Sequence, residues 1–318
     1  MAAIEISGLT KQFGTLIAVR EMNLSIDREI FGLLGPNGSG KTTTVKMLTT
    51  LLTPTEGDAH ICGYSVTKDP QKVREQISYV PQDMAVDPKL TGRENVIFYG
   101  KLYGIPKPRE TADEALLMLE LADRADDLVK TYSGGMRRRL ELAQALVHDP
   151  EVLFLDEPTI GLDVGGRRRI WDHIIELKKK GMTVFVTTHY MDEADHACDR
   201  IGIIDKGRVV AMNTPTALKT EICQDIVAIR ADGTFKGIFP EGVSYLGRSG
   251  DELRFKAVNG EEAGVALSRA FTDDGMNVRS VSIRQPTLDD VFLALVGEQD
   301  ETMAFDFQRF RTMLRRRR

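Results

Sequence analysis

Cysteine is scarce in this sequence, and the spacing of the cysteines argues against two common kinds of cross-link that stabilise a fold. Only 3 cysteines occur in 318 residues, at Cys62, Cys198 and Cys223. Their number is odd, they lie far apart, and no two have the C-x-x-C spacing of a zinc site. We therefore expect neither a disulfide framework nor a structural zinc, and a reducing cytosol suits the chain best.

Two further absences limit the partners of the chain. The formal net charge is -5, so the chain lacks the excess of basic residues that broad binding to nucleic acid requires. No apolar run approaches the roughly 18 residues that suggest a membrane-spanning helix. The segment Met1 to Thr10 lacks a basic start followed by an apolar core, so no secretory signal is predicted. If the protein serves a membrane process, we expect another chain to supply the membrane spans.

Glycine is concentrated in one short segment with a specific spacing. The segment from 35 to 43 fits the phosphate-binding pattern G-x-x-x-x-G-K-[ST]. The apolar run Ile30 to Leu34 before it predicts a buried strand, and Lys41 to Leu52 after it has helical spacing. This order favours nucleotide binding over a glycine-rich turn that binds nothing. The predicted nucleotide loop consists of Gly35, Pro36, Asn37, Gly38, Ser39, Gly40, Lys41, Thr42 and Thr43.

The chemistry of polyphosphate binding explains the residue types of this loop. Backbone N–H groups can surround phosphates only where residues without a Cβ permit a close approach. The helix that follows directs the positive end of its dipole at the phosphates. Lys41 can then reach the β- and γ-phosphate oxygens, the Thr42 hydroxyl can bind Mg²⁺, and Thr43 supplies a second hydroxyl.

Strands and helices alternate along most of the chain, which predicts a doubly wound α/β sheet. Short strands are expected at Ile4 to Leu9 and Ala18 to Ile26. The apolar run Val152 to Leu155 predicts a buried parallel strand that ends in Asp156 and Glu157. Between these strands, the pattern from Thr91 to His148 is almost wholly helical and indicates a helical insertion.

The pattern changes beyond Pro215. Apolar and basic residues alternate from Leu253 to Ala257, which predicts a strand. Thr287 and Asp290 have the spacing of a capping box at the start of a helix that ends near Gly297. We interpret this region as a small α+β domain, followed by a mobile tail whose last residues are arginines.

A second motif narrows the class of nucleotide-binding protein. Tyr132-Ser133-Gly134-Gly135-Met136 opens a predicted helix shortly before the strand that ends in Asp156-Glu157. This order of motifs resembles the ATP-binding cassette (ABC) ATPases over about Ile4 to Pro215. The resemblance implies an α/β P-loop NTPase fold of the ABC ATPase type, with a mixed sheet core and a helical subdomain, plus a small C-terminal α+β domain. We expect the ATP-binding domain at 1–220 with its helical subdomain at about 88–148, the accessory domain at 221–297 and the basic tail at 298–318.

The resemblance also implies a role for each matching residue, with ATP and Mg²⁺ as cofactors and no other metal. Glu157 looks like the general base, His189 like the γ-phosphate sensor, and Gln82 like the residue that touches the metal and the attacking water. Phe13, which by itself reads as a core residue, looks like the aromatic that stacks on adenine. The remaining implied roles belong to Asp156 as a second carboxylate serving Mg²⁺, to Asp163 in a loop that crosses a dimer interface, and to Ser133, Gly134 and Gly135 at the ATP of a partner subunit.

A second chain is needed to complete each site under this interpretation. Ser133 and the two glycines after it, at a helix N-terminus, form a second anion site with free N–H groups and a hydroxyl. One chain cannot naturally close both anion sites on one γ-phosphate. The resemblance therefore implies a head-to-tail homodimer, or a pair with another ATPase subunit, with two ATP molecules between the chains.

Several residues have a plainer interpretation when taken alone. Gln82 would be a solvated residue at a strand end and His189 an ordinary hydrogen-bonding residue, and only their order and spacing favour function. Arg137 to Arg139 are interpreted as a solvated helix face. Departures from the family pattern remove no phosphate or metal ligand, and we expect them to weaken contacts between subunits: they are Arg28, Met136, Gln144 and Ile160.

The subfamily is indicated by features outside the nucleotide loop. The Tyr-Ser-Gly-Gly-Met motif, the small C-terminal domain and the segment Gln285 to Phe292 resemble exporter ATPases of the daunorubicin-resistance type. The resemblance implies ATP hydrolysis that drives export of a hydrophobic drug, antibiotic or lipid-like compound through a separate integral membrane permease. It places the chain at the cytoplasmic face of the cell membrane, bound through that permease.

Two other classes of protein remain open at this stage. The first is an ABC ATPase that moves no solute, such as a translation or DNA-repair factor, although the chain holds one cassette and no long heptad insertion. The second is a regulatory nucleotide-binding module without turnover. The presence of Gln82, Glu157 and His189 disfavours that second class.

Overall fold

A computed structural model of the chain describes residues 2–222, 224–233, 235, 239–249 and 252–296. The chain divides into two compact units between Met212 and Asn213. Among the described residues, no helix combines the length and apolar character that a membrane span requires. The predicted basic tail at 298–318 lies outside the described residues, as does Cys223.

The first unit carries most of the regular structure. In chain order its elements are β1 (Ile4–Phe13), β2 (Leu16–Ile26), β3 (Ile30–Leu34), α1 (Lys41–Leu48), β4 (Glu56–Ile61), β5 (Tyr64–Ser65), α2 (Pro70–Gln76), β6 (Ile77–Val80), α3 (Gly92–Leu102), α4 (Pro108–Met118), α5 (Gly134–Ala145), β7 (Val152–Asp156), α6 (Val164–Lys179), β8 (Thr183–Thr188), α7 (Met191–Ala197), β9 (Arg200–Asp205) and β10 (Arg208–Asn213).

A six-stranded sheet forms the centre of this unit, in the order β10-β9-β3-β8-β7-β6. The pairs β3–β8, β3–β9, β7–β8 and β6–β7 are all parallel. Every residue of β3, β7 and β8 is buried, as expected of strands with helices on both faces. Parallel pairing brings the carboxyl ends of these three strands to one edge, where the predicted nucleotide loop, Asp156 and His189 follow them.

A second sheet of four antiparallel strands, in the order β2-β1-β4-β5, lies in the same unit. The mixed sheet core predicted from the sequence is confirmed. The first two strands are longer than expected, because β1 and β2 continue to a tight turn at Gly14 and Thr15. The predicted helix Lys41 to Leu52 is wrong at its end: Thr50 takes a left-handed φ of 61°, which stops α1 at Leu48.

The insertion between β6 and β7 is helical, as predicted, with α3, α4, α5 and two short 3₁₀ turns at Ala122–Arg124 and Val129–Thr131. Helix α3 begins with a complete capping box between Thr91 and Glu94. The Tyr132 hydroxyl donates to the Arg124 carbonyl at 2.6 Å and fixes the segment before α5. Helix α5 therefore starts at a defined point directly after Ser133.

The second unit is a small α+β fold. Its elements are α8 (Pro215–Ile222), β11 (Asp225–Asp232), β12 (Val243–Ser249), β13 (Glu252–Ala257), α9 (Gly260–Asp273), β14 (Asn277–Arg284) and α10 (Leu288–Val296). The strands form one antiparallel sheet in the order β12-β13-β11-β14, and α9 packs on it through Leu267 and Phe271. Thr287 and Asp290 exchange the hydrogen bonds of the predicted capping box at the start of α10.

Candidate functional site

The loop between β3 and α1 has the conformation that phosphate binding requires. Gly38 and Gly40 have φ values of 80° and 111°, which residues with a side chain rarely adopt. A Cβ on Gly40 would also lie 2.5 Å from the Ala18 carbonyl oxygen. Gly40 gives α1 no side-chain cap, so the first N–H groups of the helix are left for a ligand. The buried Ser39 hydroxyl has no hydrogen-bond partner among the described residues.

Lys41 is buried inside this loop. Its ammonium donates to the Gly35 carbonyl at 2.8 Å and to the Pro36 carbonyl at 3.2 Å, and lies 3.7 Å from Glu157 Oε1. Burial lowers the pKa of Lys41, and the charges of Glu157 and Asp156 oppose that shift. The loop thus holds a cation whose charged form is disfavoured by burial and favoured by nearby negative charge.

Asp156 ends β7 and is almost fully buried. The Thr42 hydroxyl donates to Asp156 Oδ1 across 3.4 Å, and the Thr187 hydroxyl forms a close hydrogen bond to the same oxygen. Burial, and to a smaller extent the charge of Asp156, raises the pKa of Tyr79 to about 12. A hydroxyl and a carboxylate oxygen therefore lie together at the start of α1.

Glu157 follows Asp156 and has a left-handed backbone, with φ of 49°. Its N–H is shared between the carbonyl oxygen and the hydroxyl of Thr187, at 3.0 and 3.1 Å. This conformation places its carboxylate between Lys41, near Oε1, and His189, whose Nδ1 is 3.1 Å from Oε2. The His189 ring also lies against Tyr190, with ring centroids 4.2 Å apart.

Gln82 lies in the exposed segment directly after β6, which pairs with β7. The structure thus places Gln82 at the same sheet edge as Asp156 and Glu157, with its side chain open to solvent. Pro36, Asn37 and Thr43 belong to the loop and the first turn of α1.

The predicted partner-facing residues lie apart from this buried group. Ser133 is exposed and caps α5 by accepting the Met136 N–H at 3.2 Å. Asp163 is exposed and caps α6 by accepting the Gly166 N–H at 2.8 Å. A Cβ on Gly134 would lie 3.5 Å from Leu162, so the two capped helix starts are neighbours in this chain. Among the described contacts, none joins Ser133 to the nucleotide loop.

Phe13 stands at the end of β1 with 47% of its surface exposed, so its interpretation as a core residue is wrong. The Lys11 ammonium lies 5.2 Å from its ring centroid. An open aromatic face is what stacking on a base requires.

Arg138 shows where sequence reasoning failed. The segment Arg137 to Arg139 was expected to be a solvated face, but Arg138 is only 3% exposed and donates hydrogen bonds to the Pro81, Asp156 and Pro158 carbonyls. A signal for burial exists in the sequence, because Arg138 stands four and seven positions before Leu142 and Ala145, which are also buried. Thr187, which holds both Asp156 and Glu157, was also missed as a site residue.

The donor set fits a nucleotide with magnesium. Among residues that the structure describes, no group of three or more His, Cys, Asp or Glu side chains can hold a metal by itself. In enzymes that act on nucleotide phosphates, however, magnesium is held by one or two protein ligands together with substrate phosphates and water. Thr42 and Asp156 supply that kind of incomplete ligand set.

Comparison with known proteins accounts for both units. The family described as "ABC transporter" matches residues 19–160, and the family "ATP-binding protein DrrA1-3-like, C-terminal domain" matches residues 214–296. The daunorubicin/doxorubicin resistance ATP-binding protein DrrA of Streptomyces peucetius is 41% identical, with 93% of this chain and 92% of that protein covered. The linearmycin resistance ATP-binding protein LnrL of Bacillus subtilis is 36% identical, covering 92% and 98%.

Solved structures agree with the fold. A dimeric ATP-binding cassette in a post-hydrolysis state bound to ADP and phosphate is 29% identical, with a TM-score of 0.60, and the match covers 66% of this chain and 98% of that one. Each compact unit contains one of the two family matches, and both relatives are aligned over more than nine-tenths of this chain. The chain belongs to the ATP-binding subunits of ABC transporters, enzymes that hydrolyse ATP to power transport.

Proposed function

We propose that this chain powers export of a hydrophobic compound, such as a drug, an antibiotic or a lipid-like molecule, through a separate integral membrane permease. The ATP hydrolysis in this proposal is supported most by the group of side chains around Glu157, in which Lys41 and His189 approach different oxygens of one carboxylate. The export direction is supported by relatives named for resistance to daunorubicin, doxorubicin and linearmycin.

Glu157 is the general base in this proposal and accepts a proton from the attacking water. Its left-handed backbone and the two acceptors on Thr187 set the direction of the carboxylate. The His189 ring lies beside Glu157, with Nδ1 3.1 Å from Oε2, and His189 is assigned to the γ-phosphate. General-base assistance of this kind contributes roughly 10² to 10⁴ in rate.

Lys41 and the loop N–H groups bind the polyphosphate. Phosphate oxygens add negative charge beside a buried ammonium, and this favours the cation that burial disfavours. The uncapped start of α1 adds N–H donors, and the Ser39 hydroxyl is free to donate as well. Phe13 provides the face on which adenine stacks.

Thr42 and Asp156, with Gln82 from the neighbouring strand end, are the proposed magnesium ligands. Magnesium, when bound, neutralises charge on the phosphates during transfer. Thr187 keeps Asp156 oriented by its hydroxyl.

The exposed helix starts at Ser133 and Asp163 support a dimer in which each ATP is closed by the partner chain. We propose that Ser133, Gly134 and Gly135 bind the ATP held by the other subunit. The paired chains would lie at the cytoplasmic face of the cell membrane, attached through the permease. We propose a cassette and an accessory domain as the two functional parts, with the boundary moved from 220 to between Met212 and Asn213, where the chain divides into two compact units.

Mixing two inactive variants tests the shared site. Ser133→Arg combined with Lys41→Ala creates mixed dimers that have one intact site and one doubly damaged site. With random pairing, about a quarter of the parent ATPase activity should return, since half of the dimers are mixed and each has one of two sites. Each variant assayed alone is the control. Activity no higher than the controls would exclude a site shared in this way.

Recovery from membranes tests the transport function. The tagged chain should purify from detergent-solubilised membranes with a multi-span protein, and that protein should raise its ATPase rate. The Glu157→Gln variant should co-purify with the same membrane protein but should not hydrolyse ATP. A chain that hydrolyses ATP but brings down no membrane protein would favour an ABC ATPase outside transport, and a chain that binds ATP without turnover would favour a regulatory module.

A further inference from the structure

Arg138, in the second turn of α5, is buried and makes an unusually complete set of hydrogen bonds. Its Nε donates to the Pro158 carbonyl at 2.9 Å, Nη1 to the Pro81 carbonyl at 2.7 Å, and Nη2 to the Asp156 carbonyl at 3.2 Å. Nη1 also contacts Glu141 Oε2 at 2.8 Å. A single guanidinium therefore holds three backbone carbonyls and one carboxylate.

The three carbonyls flank two proposed catalytic residues. Pro81 directly precedes Gln82, and Asp156 and Pro158 stand on either side of Glu157. These carbonyls lie at or just beyond the ends of the neighbouring strands β6 and β7, whose pairing with each other ends at Val80 and Leu155. Arg138 thus joins the ends of β6 and β7 just beyond the last pair of residues that these two strands share.

Glu141 extends the same contact to the far side of Gln82. Its Oε1 accepts the Ala85 N–H at 2.6 Å, and the side chain is almost fully buried. The segment that carries Gln82 is therefore held at both ends, through Pro81 by Arg138 and through Ala85 by Glu141. Both holding residues belong to α5, the helix that begins at Ser133.

We propose that Arg138 and Glu141 are positioning residues that fix Gln82 and Glu157 relative to α5. This inference rests on the proposed function, because the geometry that it sets is that of ATP hydrolysis. It links the residues that act on the bound nucleotide to the helix whose first turn is assigned to the ATP of the other subunit. Any displacement of α5 relative to the sheet would then act on both catalytic segments, because the Arg138 guanidinium is hydrogen-bonded to each of them.

Lysine is the informative replacement, because it keeps the positive charge but loses the planar fork. An ammonium is a point charge with three donors and cannot span the three carbonyls together with the carboxylate. Arg139→Gln is the matched control: Arg139 is the next residue of α5, yet it bonds to the Leu119 and Glu120 carbonyls, within the helical insertion. The comparison separates position in the site from loss of an arginine in this helix.

Steady-state ATPase kinetics give the first readout. Arg138→Lys should lower kcat about tenfold or more, while the ATP dissociation constant stays within about threefold, because the nucleotide loop is untouched. Arg139→Gln should keep both values near those of the parent. A kcat for Arg138→Lys within about twofold of the parent would overturn the inference.

Hydrogen exchange gives a readout that does not depend on turnover. In Arg138→Lys, amides of the segment 82–86, including Ala85, should exchange faster while those of β3 and α1 keep their protection. Uniformly faster exchange through the sheet would show general destabilisation and would also overturn the inference. If Arg138→Lys does not fold, Glu141→Ala tests the same segment, because it removes the acceptor of the Ala85 N–H. A parent chain without ATPase activity would refute the proposed function, and the exchange pattern would still decide the positioning role.

Discussion

Glu157 combines a strained backbone with a proposed catalytic role. Its left-handed conformation costs a residue with a side chain on the order of 1–2 kcal/mol. The shared hydrogen bond to Thr187 offsets part of that cost and keeps the residue in place. The result is a carboxylate aimed between a buried ammonium and an imidazole, which is the arrangement expected of an oriented base.

Phe13 is the residue-scale test of adenine binding. Stacking of an aromatic side chain on a base contributes roughly 1–3 kcal/mol, so Phe13→Ala should weaken ATP binding about 5- to 150-fold. Phe13→Tyr should preserve binding, because the ring remains. Titration with ATP, and with triphosphate as the ligand that lacks a base, measures the effect. Equal weakening for both ligands would contradict a stacking role.

The control for Phe13 is available on the same hairpin. Leu16 is 66% exposed at the start of β2, opposite Phe13 in the strand pairing. Leu16→Ala should change ATP affinity by less than a factor of about two, since surface substitutions outside contacts have small effects. This pair of variants separates the ring from the general shape of the turn.

Residues with special spacing were predictable, and residues set by tertiary contact were not. Lys41, Asp156 and Glu157 belong to motifs at fixed distances from strand ends, so chemistry and order make them candidates, and the structure brings the three side chains close together. Arg138 required knowledge of what packs against α5, and its sequence neighbours are two more arginines. Burying a charged side chain costs free energy, which favours a solvated position for an arginine. In the structure, four hydrogen-bond acceptors around the Arg138 guanidinium offset that cost.

At the scale of elements, β3, the glycine loop and α1 act as one unit. The apolar strand and the glycines predicted this arrangement correctly, because each local pattern agreed with the others. The end of α1 was missed because its last apolar residues continue the helical pattern past Thr50, where the backbone turns left-handed. The spacing of apolar residues predicts which face of a helix is buried. It does not predict the residue at which the helix ends.

Gly40→Ala tests this unit. The new Cβ meets the Ala18 carbonyl at 2.5 Å and forces φ away from 111°, so both stability and ATP affinity should fall. Gly14→Ala is the matched control, because Gly14 has φ of 56° but open space around a Cβ. We expect Gly14→Ala to lose about 1 kcal/mol of unfolding free energy without a change in ATP affinity. Equal ATP affinity for Gly40→Ala and the parent would contradict the assignment of the loop.

At the scale of the whole molecule, the second unit carries none of the proposed nucleotide contacts. It has its own core around Phe255 and Phe271, and α8 packs against α10 within it. A cut after Thr220, at the predicted domain boundary, would fall inside α8. Removal of the second unit is therefore better made after Thr214.

Truncation after Thr214 should leave ATP affinity within about threefold of the parent, because every proposed ligand remains. Dimerisation, or the amount recovered with the permease, should fall if the second unit serves assembly. Nucleotide titration and membrane recovery measure the two effects. Lost ATP affinity would show that the cassette extends into the second unit, and unchanged assembly would refute the assembly role.

The central claim is that Glu157 acts as the general base in the hydrolysis of ATP that is bound at Lys41. One paired measurement tests this claim most directly. Phosphate release and ATP binding are measured on Glu157→Gln, Lys41→Ala and the parent chain, with the permease present. Glu157→Gln should bind ATP as the parent does and hydrolyse it roughly 10²-fold or more slowly, whereas Lys41→Ala should lose ATP affinity. Near-parental phosphate release by Glu157→Gln would contradict the account.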